Sequence, residues 1–101
     1  MSYTSLVYHI VFSTKSRQPT IVEAAERQLY AYIMGIIQQR GGHLYRIGGM
    51  SDHIHIVASL PPQVALSDMV KTIKQESSRW LKDQEAFPHW DRWEEGYGAF
   101  T

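Results

Sequence analysis

The sequence predicts an α+β fold, and three observations predict it. Several short segments are rich in β-branched and aromatic residues, and one of them alternates polar and apolar side chains with a period of two. Two longer segments repeat apolar residues in steps of three and four. Glycine and proline clusters punctuate the chain between them. The resulting order is β-α-β-β-α-β, the ferredoxin-like split unit, whose antiparallel sheet carries both helices on one face.

Each element has its own justification. Residues 6–14, Leu-Val-Tyr-His-Ile-Val-Phe-Ser-Thr, read as the first strand. Lys15-Ser16-Arg17-Gln18-Pro19 follows as a basic loop closed by proline. From Val22 to Arg40, Val22, Ala25, Leu29, Tyr32, Ile33, Ile36 and Ile37 form one helical stripe. Glu23 and Glu26 in its first turns and Arg40 in its last suit the helix dipole, and Gly41-Gly42 supplies a stop. Residues 43–50 read as a second strand, with a turn around Gly48-Gly49-Met50-Ser51 leading into a third. After Pro61-Pro62 a second helix is expected near Ser67, taken as its N-cap. Leu66, Met69, Val70, Ile73, Trp80 and Leu81 make its apolar stripe, and Lys71, Lys74, Ser78 and Lys82 line a neighbouring face. Residues 84–89 read as a loop, and Gly96 to Thr101 as the start of a fourth strand.

Composition bounds the function. One hundred and one residues suit one domain spanning 1–101. The absence of cysteine excludes a disulfide frame, a thiolate nucleophile and Cys-ligated zinc. No run approaches the length of a membrane span and no secretory leader is evident, so a cytoplasmic location is expected. The formal charge is zero but unevenly spread. Residues 1–82 carry nine Lys/Arg against five Asp/Glu; residues 83–101 carry Arg92 against five acids. Such a balance disfavours a binder that relies on electrostatics alone.

The third strand holds the chemistry. In Ser51-Asp52-His53-Ile54-His55-Ile56-Val57-Ala58-Ser59-Leu60, His53, His55, Val57 and Ser59 fall on one face. Ile54, Ile56, Ala58 and Leu60 fall on the other. The apolar side must meet the helices, so both imidazoles point to the open face of the sheet. Two residues of strand rise put them about 6–7 Å apart at Cα, which lets both rings converge on one divalent cation. An open sheet face bearing such a pair can accommodate a flexible nucleic-acid strand. The same architecture serves RNA-binding domains, so fold alone does not decide.

Several blocks together resemble the single-tyrosine HUH transposases, the TnpA-like and REP-associated enzymes that move single-stranded DNA. They are Tyr8-His9-Ile10-Val11-Phe12-Ser13-Thr14-Lys15 with Arg17, and Asp52-His53-Ile54-His55-Ile56 with Leu60-Pro61-Pro62. Leu66-Ser67-Asp68, Val70-Lys71, Ile73-Lys74, Ser77-Ser78, Trp80 and Gly96-Tyr97-Gly98-Ala99-Phe100 complete the set. The resemblance implies a Mg²⁺ or Mn²⁺ ion on His53 and His55, hairpin-bearing single-stranded DNA as substrate, and a homodimer. It implies cleavage through a 5′-phosphotyrosine with release of a 3′-OH. Lys15, Arg17, Lys71 and Lys74 are the expected DNA contacts. In the family the nucleophilic tyrosine lies on a helix after the fourth strand, with a third metal ligand one turn later. None of Tyr3, Tyr8, Tyr30, Tyr32, Tyr45 or Tyr97 matches it. The expectation is therefore a C-terminally short domain without its own catalytic tyrosine. The competing readings are a non-catalytic single-stranded DNA or RNA binding module, and a ligand-binding or oligomerisation domain with an incidental His pair.

Overall fold

A computed structural model describes residues 6–101, which leaves Tyr3 outside the described residues. The strands are β1 (Leu6–Ser13), β2 (His43–Met50), β3 (His53–Leu60) and β4 (Gly98–Phe100); the helices are α1 (Glu26–Gln39) and α2 (Leu66–Lys82). The sheet order is β2-β3-β1-β4 and every pairing is antiparallel. This is the α+β, ferredoxin-like arrangement. Among the described residues no helix is long and apolar enough to cross a membrane.

Burial follows the sequence pattern. Along β3, Ile54, Ile56, Ala58 and Leu60 are buried, while His53, His55 and Val57 on the other face are half-buried. Ile10 and Phe12 of β1 join the same core. Leu29, Ile33, Ile36 and Ile37 of α1 and Met69, Val70, Ile73 and Leu81 of α2 close it from one side. Both helices thus cover one face, and the imidazole face is left open.

Three boundaries differ from expectation. The first helix begins with a 3-10 turn at Glu23–Ala25 before α1 proper. Ser67 is not a cap: Ala65 takes that place without a side-chain bond, and the Met69 N–H donates to its carbonyl at 3.1 Å. The Gly48-Gly49 pair is not a turn. Both residues lie in β2, opposite His55 and Ile54, and the hairpin closes through Ser51 and Asp52. A close approach requires glycine at 49, where a Cβ would overlap the His53 carbonyl and stand 2.8 Å from the Ile54 Cα.

Residues between α2 and β4 have no regular structure but are firmly held. The buried Trp93 packs edge-on against Phe12 at 4.8 Å, and its indole N–H donates to Ser77 Oγ at 2.9 Å. Glu94 N donates to the Ser13 carbonyl, and Lys15 N to the Arg92 carbonyl.

Candidate functional site

His53 and His55 stand on the open face of β3, which is paired on both edges. The 2.9 Å contact between His53 Nδ1 and Asp52 Oδ1 defines the first ring's chemistry. An ionised carboxylate only accepts, so Nδ1 carries a proton, and in the neutral ring Nε2 is the nitrogen with the lone pair. His53 and then Arg17, by hydrogen bonding, hold the Asp52 carboxyl below its ordinary range. Arg17 Nε donates to the second oxygen, Oδ2, at 3.0 Å. Arginine, carboxylate and imidazole thus form a chain that fixes ring and tautomer, the outer support that metal-binding histidines commonly have.

The backbone places this chain. Ile21 N donates to the Ser51 carbonyl and Thr14 N to the Asp52 carbonyl, both at 2.9 Å. The buried Thr14 also donates through Oγ1 to the Gln18 carbonyl at 2.7 Å. Ser16 and Arg17 both sit at positive φ, 53° and 56°. That region costs a non-glycine residue about 1–3 kcal/mol, and such strain clusters at functional sites.

His55 has a different setting. Burial, then the neighbouring His9, His53 and Arg46, pushes its pKa below the ordinary histidine value, which favours the neutral ring. Gly48 lies opposite, where an added Cβ would meet His55 Nε2 at 3.4 Å; the missing side chain leaves that nitrogen uncovered. His9, on the same face of β1, stands edge-on to His55 at 5.8 Å and to Phe100 at 5.3 Å. Among the described residues no cluster of three or more His, Cys, Asp or Glu side chains is arranged to hold a metal ion.

The expected DNA contacts are dispersed. Arg17 is exposed and engaged with Asp52, beside His53. Lys15 begins the adjoining 3-10 turn. Lys71 and Lys74 belong to α2, across the sheet from the His pair. Lys74 is half-buried, and its ammonium donates to the Glu94 and Gly96 carbonyls at 2.6 and 2.9 Å. Sequence reasoning singled out neither His9 nor the roles of Asp52 and Gly48. The His9 signal was available, since it lies one period-two step from Val11 in a strand expected to neighbour the His strand.

Known proteins now bear on this geometry. Residues 2–101 match the model of the family described as IS200-like transposases. The ISDra2 transposase TnpA of Deinococcus radiodurans is 32% identical over 74 residues, 73% of this chain and 53% of the relative. The IS200 transposase of Salmonella typhimurium is 26% identical over 77 residues, 76% of this chain and 51% of the relative. The chain therefore spans about half the length of the curated relatives it matches. A crystal structure of a Deinococcus radiodurans chain assigned as a transposase superposes with a TM-score of 0.83 at 28% identity, over 99% of this chain and 81% of that one. A REP-associated tyrosine transposase, solved bound to a REP hairpin, gives 0.70 at 12% identity over 99% and 59%, a likeness of fold. With a family model matched from residue 2 to residue 101, this chain belongs to the IS200-like transposases.

Proposed function

We propose that this chain is a transposase domain that binds hairpin-bearing single-stranded DNA and holds one backbone phosphate over the His53–His55 pair. The observation that carries the reading is the pair itself: two imidazoles on the open face of a central strand, one fixed in its ligand tautomer by Asp52. Membership of the transposase family supports DNA as the partner. The fold is shared with a transposase solved on a REP hairpin.

A divalent cation fits this donor set. Asp52 directs the lone pair of a neutral His53 ring to Nε2, and His55 is held toward its neutral form beside the uncovered space at Gly48. In this reading His53 and His55 would hold the ion, with Mn²⁺ or Mg²⁺ the expected metal. When bound, the ion supplies Lewis-acid polarisation of the scissile phosphate. The chain's own residues orient that phosphate, Asp52 fixes the orientation of the His53 ring, and burial favours the neutral form of His55.

In this reading the attacking oxygen is a tyrosine hydroxyl, and three of the described tyrosines are engaged elsewhere. Tyr30 is tied to Glu26, Tyr32 stacks on Trp80 at 4.8 Å, and Tyr45 lies edge-on to His43 at 4.6 Å. Attack by such a hydroxyl on phosphorus yields the 5′-phosphotyrosine and frees the 3′-OH, so the bond's energy is kept for rejoining. A second copy of the chain is the expected partner in assembly.

The test is binding of a labelled DNA hairpin with a single-stranded flank, measured by anisotropy with and without Mn²⁺. Wild type is expected to bind it more tightly in Mn²⁺, and His53→Ala and His55→Ala each to lose the Mn²⁺ increment while staying folded. Binding with no Mn²⁺ increment favours a non-catalytic module on the same fold. No binding to hairpin or single strand overturns the reading.

A further inference from the structure

Thr14, one residue beyond β1, stands where two arms of the His site meet. One arm is the 3-10 turn Lys15–Arg17; the other is the β2–β3 hairpin, which carries Asp52. We propose that Thr14 is a positioning residue: its buried hydroxyl joins the two arms, and so keeps Arg17 on Asp52 and Asp52 on His53. The inference rests on the reading of His53 and His55 as the metal-binding pair.

Three observations carry it. Thr14 touches both arms at once. Its hydroxyl donates to the Gln18 carbonyl at the end of the turn, at 2.7 Å, and stands 3.2 Å from the Asp52 carbonyl, so one proton serves both arms. The turn itself is strained. Ser16 and Arg17 both have left-handed backbone, which non-glycine residues keep only where the surroundings over-determine it. A second side-chain bond to the turn, from Ser16 N–H to Glu94 Oε2 at 3.2 Å, is exposed to water, whereas Thr14 is 1% exposed. The third observation is that the Arg17 side chain is 63% exposed. Solvent competes for so open an ion pair, so the pairing with Asp52 depends on where the backbone sets the guanidinium.

The joint is separable from the fold. Without the hydroxyl, the Gln18 carbonyl still accepts from Thr20 N at 2.8 Å, and the Asp52 carbonyl from Thr14 N at 2.9 Å. Valine at 14 fills nearly the same space and leaves neither carbonyl without a partner. What it removes is the link between turn and hairpin, and with that link the constraint on two strained residues.

The experiment reads the His53 ring and the metal separately. Nitrogen-15 spectra of the metal-free protein, at about pH 8.5 and so well above the ordinary histidine pKa, report the tautomer. Wild type is expected to show Nδ1 protonated and Nε2 bare at His53, Thr14→Val an averaged mixture of both tautomers, and Thr14→Ser the wild-type pattern. Mn²⁺ affinity by calorimetry is expected to fall about 3–10-fold in Thr14→Val, a part of the loss that removing an outer support produces, and to return in Thr14→Ser. In an Asp52→Ala background Thr14→Val is expected to cause no further loss, because the path it acts through is gone. Arg17→Ala, at an exposed position, is expected to give the same tautomer mixture, and it decides the matter should Thr14→Val fail to melt cooperatively. A wild-type tautomer pattern in Thr14→Val or in Arg17→Ala overturns the proposal. So does Thr14→Ser that behaves as Thr14→Val, or an equal further loss in the Asp52→Ala background, the mark of a purely structural role. Wild type that shows the fixed tautomer, lost in Thr14→Val, but binds no Mn²⁺ overturns the metal reading and upholds the joint.

Discussion

Replacing Ser77 by alanine is expected to destabilise the fold by about 2 kcal/mol. Ser77 is fully buried in α2, and its Oγ accepts a hydrogen bond from the Trp93 indole N–H at 2.9 Å, the one bond that N–H makes among the described residues. Trp93 itself is 6% exposed, so water does not replace the lost acceptor. A buried donor left without a partner costs about 1–3 kcal/mol, whereas deleting one small oxygen adds little cavity. For a chain of this size each kcal/mol shifts the melting midpoint by about 4–8 °C, which gives a fall of roughly 8–16 °C. Trp93→Phe removes the donor instead. A double-mutant cycle is expected to return a coupling of about 0.5–1.5 kcal/mol between the two positions. Thermal and urea unfolding measure the stabilities, and amide exchange at Glu94, bonded to Ser13, reports whether the segment loosens. A Ser77→Ala midpoint within about 0.5 kcal/mol of wild type, the range of ordinary surface changes, would refute the reasoning.

Three further outcomes are expected. Asp52→Ala frees the His53 tautomer, and calorimetric Mn²⁺ affinity is expected to fall about 10–100-fold, the usual effect of removing a metal ligand's outer support; unchanged affinity counts against the Arg17–Asp52–His53 chain. Gly48→Val places methyl groups beside His55 Nε2, so Mn²⁺ binding is expected to weaken while the melting midpoint holds, as read by calorimetry and circular dichroism on one sample. The pKa of His55 is lowered on folding, so below the ordinary value of about 6.5 the unfolded chain binds the extra proton first. Stability is expected to fall as pH drops through that value and then to level off below the folded pKa; urea titrations of His55→Gln should show a shallower fall, and parallel curves would contradict it.

The sequence made some features legible and hid others for physical reasons. The imidazole face of β3 could be read because a strand's period of two is local, and Ile54 and Ile56 announce which side is buried. The α1 stripe was equally local. The start of α2 was misread because serine is a common cap, yet Ala65 already has the extended backbone a cap needs. Gly48 and Gly49 looked like a turn because glycine usually marks one; only the β2–β3 register shows that they give way to His55 and the His53 carbonyl. Asp52 sits next to His53 in sequence, but its second partner, Arg17, is 35 residues away. The Trp93 indole reaches Ser77 of α2 from 16 residues away, an approach no periodicity encodes.

The placement of β3 between two full-length partners has a consequence for motion. β1 pairs with it over eight residues and β2 flanks its other edge, whereas β4 joins the sheet by only three residues. Short, exposed elements open at small free-energy cost, and doubly paired central strands open only with the whole molecule. The hydrogen-exchange profile should therefore be layered, with amides of Ile54 and Ile56 slowest and those of β4 fastest. The two imidazoles ride on the slowest layer. Phe100, which packs against His9, rides on the fastest, so the rim of the open face can rearrange around an incoming strand while its centre stays still.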